Sequence, residues 1–105
     1  MIKVYKGTEI KLSVSIDPID GKTMDNYDFE IELYVYGSNA VKKTKDECIK
    51  VDANNYIVTL DTNALSRVGK LILKVTAYIP DGDFDDNLRT EVSCVDTGVL
   101  IVKEL

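Results

Sequence analysis

From Lys70 to Ile79 the chain runs without a Gly, Pro, Asp or Asn, and along it Leu71, Leu73, Val75, Ala77 and Ile79 alternate with Ile72, Lys74, Thr76 and Tyr78. A period of two places these sets on opposite sides of an extended backbone, with the apolar set against a core. The Val68-Gly69 turn opens the strand. A strand this long and apolar is a poor edge, because an exposed edge invites pairing with other chains. Residues 70–79 are therefore expected to be the central strand of a sheet. Val75, in the middle of the apolar face, is expected to be fully buried.

The rest of the chain repeats the pattern in shorter pieces. Residues 2–5 form a first strand that Lys6-Gly7-Thr8 breaks, and residues 9–16 alternate with Ile10, Leu12, Val14 and Ile16 inward. Asp17-Pro18-Ile19-Asp20-Gly21 starts a loop reaching about Tyr27, since Pro cannot donate to a ladder. Residues 28–36 point Phe29, Ile31, Leu33 and Val35 inward. Residues 41–52 carry Lys42, Lys43, Lys45, Asp46 and Glu47 and suit one exposed edge strand. A turn at Ala53-Asn54-Asn55 leads to a strand over 56–60. Asp61 to Leu65 reads as one helical turn, capped by Asp61 or Thr62 and left through Gly69. After a second long loop over 80–88, residues 89–94 and 99–102 form a last strand interrupted at Asp96-Thr97-Gly98 by a bulge. No stretch supports a full amphipathic helix. Seven or so short strands at regular spacing predict an all-β, immunoglobulin-like β-sandwich of seven or eight antiparallel strands with one short helical turn. An OB-type or other small barrel is the alternative. The Cys…Trp…Cys pattern of antibody domains is missing, so the expectation concerns architecture.

At 105 residues the chain is expected to form a single domain over 1–105. Apolar residues make up 45%, too many for disorder. A net charge of -5 disfavours nucleic acid and anionic membrane as partners. Met1 leads straight into a strand with no apolar leader, so synthesis in a cytoplasm is expected. Cys48 and Cys94 have neither a metal-ligand nor a CxxC spacing. They are expected to be free thiols, separated by central strands.

Little in the sequence points to catalysis. Histidine is absent, which removes the commonest general base and metal ligand. No nucleophile elbow, phosphate-binding glycine loop or dinucleotide fingerprint occurs. The chain is expected to be non-enzymatic, with no cofactor. Two surface features stand out instead. Asp81, Asp83 and Asp85 have a D-x-D-x-D spacing that can present oxygens to Ca²⁺, and Asp17, Asp20 and Asp25 are expected at the same end of a sandwich. The EF-hand pattern fails, with Asp86 where Gly is needed and Val92 where Glu is needed. A solvated acidic turn is the competing reading. The second feature is an outward face carrying Tyr34, Tyr36, Ile72 and Tyr78, with Glu32 and Lys74 among them. Such a face suits a protein interface or ordinary cross-strand packing. Val99-Leu100-Ile101-Val102 is apolar on both faces, so another strand or a partner must cover it.

The layout Lys6-Gly7, Asp20-Gly21, Phe29-x-Ile31-x-Leu33, then Asn55-Tyr56-Ile57-Val58-Thr59-Leu60-Asp61-Thr62 and Leu65-x-x-Val68-Gly69-Lys70-Leu71 resembles the small immunoglobulin-like domains of tailed-phage virion proteins, such as the N-terminal domain of the baseplate upper protein. Ile79-Pro80-Asp81-Gly82-Asp83-Phe84 through Arg89-x-Glu91-Val92 is similar to short structural proteins, including head-fibre-type ones, of crAss-like gut phages and related prophages. The resemblance implies a virion component (tail, baseplate, head-fibre or decoration protein) acting through contacts with other virion proteins or with copies of itself. A carbohydrate-binding or Ca²⁺-dependent adhesion module is the alternative.

Overall fold

Two sheets and three single 3₁₀ turns account for the regular structure of the computed structural model, which describes residues 1–103. The strands are β1 (Ile2–Tyr5), β2 (Glu9–Ser15), β3 (Asp28–Tyr34), β4 (Val41–Thr44), β5 (Ile49–Asp52), β6 (Asn55–Asp61), β7 (Gly69–Pro80) and β8 (Leu88–Val102). One sheet has the order β1-β8-β7-β3-β4, and the other has β2-β6-β5. The protein is an all-β sandwich. Its length of 52 Å against 27 and 22 Å across matches the long β7–β8 hairpin, since a strand of twelve residues spans roughly 40 Å.

β7 lies in the middle of the five-stranded sheet, and its inward residues Leu71, Leu73, Val75, Ala77 and Ile79 are all buried. β3 pairs with it in antiparallel register, Ile31 opposite Val75, and Phe29, Ile31, Leu33 and Val35 are fully buried. From the smaller sheet Tyr56, Val58 and Leu60 close on them, and the Phe29 and Tyr56 rings meet edge to face with centroids 5.1 Å apart. Alternation thus maps onto burial wherever both sheets overlie each other.

Residues 41–52 are not one strand. β4 edges the large sheet, β5 edges the small one, and a 3₁₀ turn at Lys45–Glu47 carries the chain between layers. Glu47 Oε1 accepts from the Thr44 amide at 3.1 Å, which satisfies a donor freed where the ladder ends. Lys45 reaches back to donate to the Met24 and Tyr27 carbonyls at 2.8 and 2.9 Å, with its ammonium 5.8 Å from the Phe29 ring centroid. Its charge therefore closes one end of the core, a tertiary role that a charge-rich segment does not reveal.

β3 stops at Tyr34, two residues short of the expected end. Ser38 Oγ takes the Val35 amide at 3.1 Å, and Gly37 turns at φ +80°, so Tyr36 sits in the turn and off the sheet. The last strand is one continuous element that carries the expected bulge. Its register with β7 slips between Lys70 and Ile72, where Gly98 has φ +77° and Thr97 Oγ1 donates to the Leu71 carbonyl at 2.9 Å. Beyond the bulge, Val99 and Ile101 are buried, and β1 pairs with this end in parallel, Ile2 opposite Val99. The apolar tail of β8 is thus flanked by β1 and β7. Thr62, the one buried polar residue among those described, ties β1 down. Its Oγ1 accepts from the Gly7 amide and donates to the Thr8 carbonyl, both at 2.8 Å.

Candidate functional site

The layers are unequal. Five strands face three, and β2 ends the smaller sheet before it reaches over β8. Inward residues Arg89, Glu91, Ser93 and Val95 of β8 stand opposite Ile79, Ala77, Val75 and Leu73 of β7, yet Ser93 and Val95 are exposed while their β7 partners are buried. β1 pairs only with residues 99–102 of β8, so among the described residues the outer edge of 88–98 has no strand beside it, and neither has the outer edge of β2.

Between these two edges runs a groove of about 530 Å³. Its floor is Leu73, Val75 and Ala77, and one wall is Val95 with Ser93. The other wall is the β2 edge, where residues 12–17 contribute one after another while β8 contributes only alternate residues. The groove therefore follows the free backbone of β2 and the inward side-chain face of β8. Leu12, Ile16 and Ile19 remain half-buried along it.

One end of the groove is negative. Among the described residues, Asp17 and Glu91 are the only charged ones lining it. Just beyond, Arg89 sits among three carboxylates, with Asp20 at 2.6 Å, Asp81 at 2.9 Å and Glu91 at 3.3 Å. The Asp20 hydrogen bond holds the guanidinium even more firmly protonated than usual. Three anions about one cation leave an excess of negative charge. Burial, with Glu91 adding to it, pushes the Tyr27 phenol up, and the Tyr27 hydroxyl is buried without a hydrogen-bond partner.

The tyrosine set divides. Tyr34 and Ile72 are register partners on the outer face of the large sheet. Partial burial, and then the neighbouring Cys94, push the Tyr34 phenol up. Beside them Glu32 lies 3.5 Å from Lys42 and 3.9 Å from Lys74, a charged row across β4, β3 and β7. Tyr36 projects from its turn, 81% exposed. Tyr78 stands opposite Asp28 and Thr90, six residues along β7 from Ile72 and so roughly 20 Å away. The four residues do not form one patch.

In the acidic loop, Asp81 serves structure. Its Oδ1 accepts from the Asp83 amide at 3.0 Å and its Oδ2 from Arg89. Asp25 is occupied elsewhere, by Lys50 and the Tyr56 hydroxyl, both at 2.8 Å. Those two bonds, Lys50 first, hold its carboxyl below the usual range. Asp20 does share the loop's end of the sandwich, through Arg89. Among the described residues no group of three His, Cys, Asp or Glu is placed to hold a metal ion.

Sequence reading missed the groove, although a signal was present. A core-facing strand should be apolar at alternate positions, and 89, 91 and 93 are Arg, Glu and Ser. That polar stripe marks a strand with nothing opposite it. No family model matches the chain, and no curated protein matches it.

Proposed function

We propose that this chain is a non-enzymatic assembly module, of the kind found in phage or prophage virions, that works through protein–protein contacts. The observation that carries this reading is the bare stretch of β8. Val92 and Val95 point to opposite faces of the strand and are 55% and 54% exposed, and the strand edge there is unpaired. Between Glu91 and Asp96 this leaves a short stretch with a bare valine on each face and an unpaired edge, where a partner can dock. The order β8-β7-β3-β4 against β2-β6-β5 supports the immunoglobulin-like reading, because these are the relative positions of such a sandwich's strands. The virion assignment rests on the sequence resemblance alone. On the outer face, Tyr34 and the projecting Tyr36 supply aromatic anchors of the kind interfaces favour, with Ile72 as an apolar neighbour of Tyr34.

Size-exclusion chromatography with light scattering tests the reading. A discrete oligomer is expected, and Tyr36→Glu with Ile72→Glu should shift it to monomer while leaving the circular dichroism of the strands intact. A monomer that binds glycans through Tyr36 would support the carbohydrate-binding alternative instead.

A further inference from the structure

We propose that the groove between β2 and β8 is a strand-accepting site. It takes an extended segment of a partner protein that pairs antiparallel with β2 as the fourth strand of the smaller sheet, with apolar residues at alternate positions and a lysine or arginine at its N-terminal end. This rests on the reading of the chain as a protein–protein module and specifies how the contact is made.

Three observations fix the occupant. The first is the layer count. A fourth strand beside β2 would lie over β8, whose inward residues Ser93 and Val95 are exposed among the described residues. The second is the lining. The wall formed by consecutive residues 12–17 is a backbone edge, whose free amides and carbonyls a strand satisfies and a compact small molecule does not. The inward side of an added strand would meet the apolar floor of Leu73, Val75 and Ala77 and the wall residue Val95, with Ser93 and Thr97 beside it, so alternate residues of the occupant that face the floor are apolar too. The third is charge. Both charged lining residues are acidic: Asp17 follows the end of β2 at Ser15, and Glu91 shares Arg89 with Asp20 of the same loop. A strand antiparallel to β2 begins there, so its first residue is basic. Antiparallel pairing is also the more stable per residue. A second copy of this chain brings net charge -5 to an acidic rim and is disfavoured.

The probe is the synthetic peptide acetyl-Lys-Val-Ser-Val-Ser-Val-Ser-amide, titrated into the full chain by two-dimensional amide NMR. In the proposed register its lysine lies opposite Asp17 and its valines lie opposite Ile16, Val14 and Leu12. Saturable shifts confined to β2, β7 and β8 are expected at or below about 1 mM, the weak end of specific binding. Replacing the three valines with aspartate should abolish them. Ser93→Tyr, placed on an exposed wall position, fills the groove without entering the core; it should weaken binding at least about tenfold and leave the melting temperature unchanged. Asp17→Asn should weaken the lysine peptide roughly two- to fivefold, the range of exposed ion pairs, and leave a serine-led peptide unaffected. Absence of shifts, equal binding of the aspartate peptide, or indifference to Ser93→Tyr would overturn the site. An oligomer that Ser93→Tyr converts to monomer would overturn the choice of partner in favour of a second copy. An oligomer lost only on Tyr36→Glu with Ile72→Glu, with no peptide shifts, would overturn the groove and leave the assembly reading standing.

Discussion

β7 and β8 are arms of one hairpin with opposite fates. Val75 and Ser93 are register partners, yet Val75 is 7% exposed and Ser93 lies open. Hydrogen bonding does not separate them, since each belongs to the same antiparallel ladder. What differs is the opposite layer: β6 and β2 lie over β7, and nothing described lies over the middle of β8. Burial in a sandwich is thus a property of the pair of layers, and a strand's own alternation reports it only where both layers are present.

The widest gap in this comparison is expected from one charge placed on each arm. Val75→Asp strands an unpaired carboxylate in the core and should cost about 4 kcal/mol or more, enough to abolish folding of a small domain. Ser93→Asp should stay within about 0.5 kcal/mol of wild type. Urea denaturation checks both, and similar losses at the two positions would mean that β8 is covered. Next comes the latch under β1. Thr62→Val leaves the Gly7 amide and the Thr8 carbonyl without their side-chain partner, at an expected cost of about 1–3 kcal/mol.

Titration should lower stability toward both ends of the pH range. Burial, and then the hydrogen bond to Asp25, push the Tyr56 phenol up to about 12. The folded state holds that proton more tightly than an unfolded tyrosine with a value of about 10. Its contribution is therefore complete below pH 10 and is lost as pH rises from 10 toward 12. In acid the sign reverses. Asp25, Glu47 and Asp52 are held below their usual values, mainly by hydrogen bonds from Lys50, Thr44 and Asn54 respectively. Their contributions are present above roughly pH 4 and fade as pH falls through the lowered values. Thermal melts across pH should show both limbs, and Tyr56→Phe should shrink the alkaline one. The smallest effect is kinetic. Both cysteines are free, Cys94 exposed on β8 and Cys48 half-buried with its thiol pushed up by burial and then by Glu47. Cys94 should alkylate first in the native state, and unreduced denatured protein should take two labels.

Of the fold, the sequence made legible whatever repeats locally: the inward sets of β3, β6 and β7, the central place of β7, the Asp61 cap and the bulge at Asp96-Thr97-Gly98. The crossing at Lys45–Glu47 was hidden, because the lysine that satisfies the Met24 and Tyr27 carbonyls acts across 21 and 18 residues of chain. The Tyr34–Ile72 adjacency followed from antiparallel register, whereas the place of Tyr36 depended on a serine hydroxyl capturing the Val35 amide. The groove depends on how far one sheet overlies another, which no local period encodes.

The pairing of β1 with the far end of β8 has a consequence for synthesis. The ladders of the three-stranded sheet need nothing beyond Asp61. The large sheet has no centre until β7 exists, and β1 has no partner until residues 99–102 are made. A nascent chain therefore holds β3 without its central partner until β7 is made, and β1 is among the last of the described strands to dock. Contacts so far apart in sequence form slowly, so the parallel ladder of β1 with β8 is expected to be the last of the pairings to close.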